Sequence, residues 1–396
     1  MSDRISNVFL FVADSLRWDY LPNQIASKGT VFKTVAAGGK TVHTFPTLAT
    51  GLYPQEYGIE SWGDTLPEDV DSIYDVESLD TGFYNAGMTA EILPSILGAE
   101  EMTELSELDP PFFYIERDNS PHVPHAGYDN HQQYLADRVG NLDQMRADYR
   151  ETIEESKAVF EERLQELENR NLLDETLVIY TSDHGELFGE YGELLHNSPL
   201  CPELVYVPAV FINPSLSGED FYVDASTEII EQVDMIKTAF SLLGEPLQGV
   251  EGTDILSESR DRAYGHSFAN ISHRGITFYR ANSIWWYDSG YVFAENRRIE
   301  RFLYPFAYSL TAANRKHIRR NLPQLLRYYP KSSHTFGNPP MEKSEAETAL
   351  NELLADLNER TSVKMELDEQ AKETLRPRIP PRVNRPAIRI RNGRAS

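Results

Sequence analysis

Asp14 follows directly on the apolar run Val8 to Ala13 (VFLFVA), and Asp183 and His184 follow closely on another, Thr176 to Tyr180 (TLVIY), inside the hexapeptide TSDHGE. In an open parallel sheet, ligands bind in the crevice outside the carboxyl ends of the strands, so polar residues just past buried strands are the ones placed to bind. Hard carboxylate oxygens joined by one imidazole form a ligand set for a divalent metal. Singly, an aspartate after a strand is a common helix cap; two of them with an adjacent histidine make a site. A third segment is Lys40 to Pro54, KTVHTFPTLATGLYP. With Thr44 as its cap, Pro46 near its first turn and Gly51 at its end, it predicts a short helix. The amides at its start face any anion bound at the same sheet edge.

Positioning these groups requires a covered sheet. Phe112 to Ile115 (FFYI) and Val207 to Ile212 (VPAVFI) join the two runs above as strands apolar enough to be buried on both faces. Between the second and third strands, Tyr149, Ile153, Phe160, Leu164 and Leu167 line one face of a long charged helix that closes at Asn169 to Asn171. Strands separated by helices imply parallel crossovers and an α/β class, with helices on both faces of a mainly parallel sheet. From about Asp261 the texture turns to Tyr, Trp and Arg, alternating like antiparallel strands with a turn at Ser289 and Gly290. Glu342 to Leu357 reads as an amphipathic helix, and Arg376 to Ser396, with seven Arg, four Pro and no acid, as an extended tail. The expected organisation is a catalytic domain over 1–260, a C-terminal subdomain over 261–375 that completes the fold with a small antiparallel sheet, and the basic tail over 376–396.

The 396 residues carry 62 Asp plus Glu against 37 Lys plus Arg, a formal charge of −25, and only 10 of the basic residues are Lys. That composition suits molar salt, where the Debye length falls to about 3 Å and self-repulsion is silenced. The same field repels nucleic acid and anionic membrane over most of the surface, which excludes nucleic-acid binding as the main function. No stretch reaches the roughly 18 apolar residues of a membrane span, and the start has no small-residue cleavage site, so the expectation is a soluble, cytoplasmic protein. The lone Cys201 excludes an internal disulfide and any cysteine-cluster zinc site.

Five ordered stretches carry a resemblance. NVFLFVADSLRWDYL resembles the opening strand of sulfatases of the alkaline phosphatase superfamily, and FPTLATGLYP resembles their nucleophile helix, whose motif is C/S-x-P-S-R-x-x-x-x-T-G. LQELENRNLLDETLVIYTSDHGELFGEYG is similar to their helix, strand and metal loop. LCPELVYVPAVFINP and TEIIEQVDMIKTAFSLLGEP are similar to the Y-E-E-x-x-x-V-P and V-D-x-x-P-T-L-L-x-x-x-G segments. The likeness runs from about Asn7 to Leu256 and implies an alkaline-phosphatase-like fold in a sulfatase-like protein of haloarchaeal type.

Carried over by position, the resemblance implies that Asp14, Asp183 and His184 ligate metal and that Thr41 stands at the nucleophile, its hydroxyl a further ligand. His196 matches the Lys or His that touches the transferred group. His122 or His125 falls where another substrate-contacting His belongs. Ser15 replaces the family's second Asp, and Thr41 cannot become formylglycine. His43, Thr44 and Phe45 replace the motif's Pro, Ser and Arg, and no G-K-x-H follows Ala86 to Thr89. The expected function is hydrolysis of a small anionic ester with one divalent ion, Ca, Mg, Mn or Zn; a second metal is not favoured because no convincing Asp-x-x-x-His pair is present. The threonine leans the chemistry towards phosphodiesters or phosphonates, the alignment towards sulfate esters. A non-catalytic sulfatase-like binding protein is the rival reading, and the oligomeric state, a homo-oligomer included, stays open.

Overall fold

The computed structural model describes residues 5–85, 92–99, 102–196, 200–244, 247, 249–273, 276–312 and 314–375. The basic tail 376–396 and the Ala86 to Thr89 stretch lie outside the described residues. Strands β1 (Asn7–Ala13), β2 (Thr30–Val35), β3 (Asp80–Asn85), β4 (Phe112–Asp118) and β5 (Thr176–Thr181) precede a two-stranded hairpin, β6 (Leu187–Phe188) and β7 (Leu194–Leu195). Then come β8 (Tyr206–Ile212) and β9 (Ile229–Glu231), and seven of these strands form one sheet in the order β3-β4-β1-β5-β8-β2-β9. Six share one direction, as the composition of the strands predicts.

β8 differs: it pairs antiparallel with both β5 and β2. A parallel return needs a crossover that carries the chain back across the sheet, usually on a helix. Between Thr181 and Tyr206 the described chain offers only a hairpin and short turns, so β8 enters from the edge where β5 ended and runs back.

Alternation along β1 divides the core. Val8, Leu10 and Val12 pack with Val42, Phe45 and Leu48 of helix Thr41–Thr50 and with Met235 and Ile236 of helix Gln232–Leu243. Phe9, Phe11 and Ala13 pack on the other face with Tyr149, Ile153, Phe160, Leu164 and Leu167 of helix Leu142–Asn169. Burial on both faces explains why these strands are uniformly apolar.

β10 (Gly265–His273), β11 (Ile276–Trp285), β12 (Gly290–Ala294) and β13 (Ser333–Phe336) form a separate antiparallel sheet. The expected Ser-Gly turn is the loop Trp286 to Ser289, with Gly290 already in the strand. Phe268 donates its amide to the Ala37 carbonyl at 2.8 Å, which ties this sheet to the segment between β2 and helix Thr41–Thr50. Helices Arg298–Thr311 and Arg315–Tyr328 cover one side of it, and Lys343–Leu375 seats Ala346 and Leu350 on the other against Ile284 and Trp286.

Candidate active site

Three segments converge at the carboxyl edge because β1, β2 and β5 run the same way. β1 delivers Asp14 and Ser15, β5 delivers Asp183 and His184, and the chain leaving β2 reaches helix Thr41–Thr50 six residues later. That helix starts four residues earlier than a Thr44 cap would place it. Lys40 is the N-cap, and the Thr44 hydroxyl donates to the Lys40 and Thr41 carbonyls within the helix. Pro46 falls in the interior and Gly51 ends the helix at φ 68°.

Asp14, Asp183 and His184 are fully buried, and one ligand atom from each lies within 4.8 Å of the others. Ser15, where sulfatases carry a carboxylate, is held at φ 65°, a costly conformation for a residue with a side chain. Its amide donates to Asp183 Oδ1 at 3.1 Å and its hydroxyl to Asp14 Oδ1 at 2.8 Å, so it orients both carboxylates. Tyr149 fixes this turn by donating its hydroxyl to the Ser15 carbonyl at 2.7 Å.

His184 Nδ1 lies 2.9 Å from the Gly185 carbonyl, which can only accept, so Nδ1 carries the proton and Nε2 presents a lone pair. That Nε2 is 3.2 Å from Thr41 Oγ1 and 3.3 Å from Asp183 Oδ2. Burial pushes the imidazole down to about 4, so it is neutral at ordinary pH. Asp183 Oδ2 accepts no hydrogen bond. Two acceptors this close need a proton or a cation between them, and oxygen, nitrogen and hydroxyl donors around the gap suit a divalent ion. The residues therefore fit the metal that the family typically binds.

Arg117, at the end of β4, was not among the residues singled out from sequence. It forms a buried ion pair with Asp14 Oδ2 and donates to Asn85 Oδ1 at 2.9 Å. Burial opposes ionisation of Asp14, but the Arg117 guanidinium and the nearby imidazoles outweigh it and hold the carboxyl far below its ordinary range. Asp183 is pushed up instead, by burial and then by the like charge of Asp14. β4 does not stop at Ile115: Glu116 to Asp118 continue it beside β1, and that pairing is what brings Arg117 to Asp14.

The imidazoles form a short array. The His196 ring lies 4.5 Å from that of His184 and 5.0 Å from that of His122. Glu186, the last residue of TSDHGE, is buried with Oε2 3.3 Å from His196 Nδ1. Burial alone would depress His196, but Glu186 together with Asp14 and Asp183 outweighs it and raises the group. His122 directs Nδ1 at the Val123 carbonyl and is pushed down by burial to about 3. His125 is placed differently, packed between Tyr134 and Tyr149 at 5.3 and 5.5 Å, with Nδ1 near the Thr152 hydroxyl. Of the two candidates in SPHVPHAGY, His122 is the one in the array. Lys40, beside Thr41, is another cation the sequence reading passed over; burial lowers it to about 8, and it donates to the Asn270 carbonyl at 2.7 Å.

A mostly parallel sheet with buried carboxylates, imidazoles and a helix-borne hydroxyl gathered at one edge defines an enzyme of alkaline-phosphatase-like fold. The sulfatase family model matches residues 85–245. The low-salt glycan biosynthesis sulfotransferase Agl7 of Haloferax volcanii is 30% identical over 395 residues, which cover 93% of this chain and 95% of that protein. Arylsulfatase K of Canis lupus familiaris is 28% identical over 129 residues, 32% of this chain and 23% of its own. Among solved structures, a 2-O GAG sulfatase superposes with a TM-score of 0.59 at 14% identity, covering 92% of this chain and 93% of that one. The phosphonate monoester hydrolase of Agrobacterium radiobacter superposes with a TM-score of 0.55 at 17% identity, covering 82% and 96%. The chain belongs to the sulfatase family. It is accordingly a sulfuric or phosphoric ester hydrolase by class.

Proposed function

We propose that the chain cleaves sulfate esters of saccharide-like substrates through a covalent ester on Thr41. The observation that carries this reading is the Thr41 hydroxyl, at the start of a buried helix, 3.2 Å from the lone pair of His184 and beside the carboxylates of Asp14 and Asp183. Asp14, Asp183, His184 and Thr41 Oγ would hold a divalent ion. Such an ion lowers the pKa of a coordinated hydroxyl and offsets charge on the ester oxygens.

The roles of the chain's own groups follow from their hydrogen bonds. His184 Nε2, with its one lone pair, would be a ligand to that ion; without the ion it instead accepts a hydrogen bond from the Thr41 hydroxyl. The first amides of helix Thr41–Thr50 point towards the incoming anion. His196, kept proton-rich by Glu186, donates to the leaving alkoxide. His122, neutral and with Nδ1 on the Val123 carbonyl, presents the Nε2 lone pair and accepts a hydrogen bond from a substrate hydroxyl. The sulfur–oxygen bond to the leaving alcohol breaks as the bond to Thr41 Oγ forms, and a second attack on sulfur then frees Thr41.

That second attack matters because threonine has no aldehyde hydrate through which to expel sulfate. Water as the attacking group makes the chain a hydrolase. The name of the Haloferax volcanii relative favours a second reading, in which a sugar hydroxyl attacks and the sulfuryl group is transferred. The test is accurate mass spectrometry of enzyme quenched during turnover of aryl sulfate, phosphodiester and phosphonate substrates, with saccharide acceptors present and absent. A sulfuryl adduct on the Thr41 peptide is expected, and Thr41→Ala should lose at least a thousandfold in turnover with an unchanged melt. Turnover confined to phosphorus esters would reject sulfur, and near-normal turnover by Thr41→Ala would reject the nucleophile.

A further inference from the structure

We propose that helix Arg298–Thr311, with the basic helix that follows it, forms a docking surface for an anionic lipid bilayer. Five of the ten large hydrophobic residues that stand exposed among the described residues lie on this one fourteen-residue helix: Ile299, Phe302, Leu303, Phe306 and Leu310. At 3.6 residues per turn they fall within an arc of about 100°. Leu310 is 69% exposed and Ile299 58%, so the face is uncovered along the length of the helix. Its inner face is already satisfied: Tyr304 is buried with its ring 4.6 Å from that of Tyr329. Among the described residues the outer stripe therefore belongs to no core cluster, and a contiguous exposed apolar face of this kind marks an interaction site.

Charge identifies the occupant. The protein carries −25 overall, yet residues 297–331 contain nine Arg and Lys and a single acid, Glu300. Arg297, Arg298, Arg315, Lys316, Arg319 and Arg320 are all exposed. Arg319 Nε donates to the Ser309 carbonyl at 3.0 Å, which brings the basic helix Arg315–Tyr328 against the end of the apolar stripe. A second copy would bring two such basic surfaces together, and the Arg-rich tail 376–396 has the same sign. An apolar stripe flanked by Arg and Lys is the pattern of a helix lying in the headgroup interface, its apolar face buried about 5–10 Å and its cations reaching anionic phosphates. Such binding needs no spanning segment, and no described helix is long and apolar enough to cross a membrane.

The surface also adjoins the site. Asn314 donates to the Leu194 carbonyl at 3.4 Å and Tyr329 to Glu193 at 2.7 Å, so the helix pair rests on the hairpin β6–β7 that leads into His196. Docking would hold that hairpin beside the bilayer, whichever ester is cleaved there.

Vesicle flotation of the full chain tests this without any substrate. It is run in the lowest KCl concentration at which circular dichroism shows the chain folded, with vesicles of phosphatidylcholine alone or with about one third phosphatidylglycerol. The chain should float with the anionic vesicles and at least tenfold less with the neutral ones. Phe302→Ser/Phe306→Ser should lose binding at least tenfold with an unchanged melt, because both rings are exposed; Arg298→Glu/Lys316→Glu should lose the preference for anionic lipid. A wild-type chain that ignores both vesicle types overturns the proposal, as does a phenylalanine double variant that floats like wild type. A chain that ignores vesicles but dimerises through these phenylalanines assigns the face to a second copy instead.

Discussion

Asp14 and Asp183 lie side by side in the same buried edge, and different neighbours drive them in opposite directions. Arg117 keeps Asp14 charged, while Asp183 is left to share a proton or a cation with His184. Asp183→Ala removes the carboxylate whose Oδ2 has no other partner, and it should abolish binding of one divalent ion per chain. Metal content of the purified variant, measured after dialysis against the ion, checks this; unchanged stoichiometry would move the site elsewhere. Arg117→Met strands a buried carboxylate without its counter-charge. In metal-free protein it should destabilise by about 3–5 kcal/mol, read from denaturant melts of the two proteins. Asp14, Asp183 and His184 were legible because each follows an apolar run. Arg117 was not, because an arginine at a strand end has no signature until β4 is seen to lie beside β1.

The helix that carries Thr41 owes its end to one residue and its start to none. Gly51 adopts φ 68°, donates its amide to the Thr47 carbonyl, and leaves no room for a β-carbon, which would meet Val250 Cγ1 at 2.7 Å. Gly51→Ala should therefore cost about 1–3 kcal/mol, from the left-handed conformation and the contact together, and a thermal melt will show it. At the other end no side chain caps the helix; it begins at Lys40 because the segment leaving β2 is tied to β10 through Ala37 and Phe268. Local rules favoured Thr44 as the cap, and that tertiary tie displaced the boundary by a turn. The reversal of β8 has a similar origin, since a strand's direction depends on the length of its connection and not on its own residues.

A charge of −25 concentrates self-repulsion along most of the chain, with residues 297–331 and the tail 376–396 as basic exceptions. Screening should then stabilise the fold. Thermal melts between about 0.1 M and about 3 M KCl should rise steeply as the Debye length shrinks towards 3 Å. A melting temperature that is flat or falls over that range would return the protein to an ordinary acidic class. The same experiment bears on the docking surface, because salt weakens its attraction to anionic lipid while leaving its apolar stripe intact.

By itself the sequence determined the class of fold, through four strand-length apolar runs separated by an amphipathic helix, and pointed to three residues that the fold gathers at the candidate site, through their position after those runs. It also determined the chemistry open to residue 41, since a threonine hydroxyl can attack but cannot become an aldehyde. Only the tertiary structure decided that Ser15 orients the carboxylates, that Arg117 and Glu186 set the charges around them, and that His122 stands in the array while His125 packs among tyrosines. The physical reason is the same in each case. Burial after an apolar run is a local property that periodicity records, whereas pairing between charges far apart in the chain arises only when separate strand ends are brought to one edge.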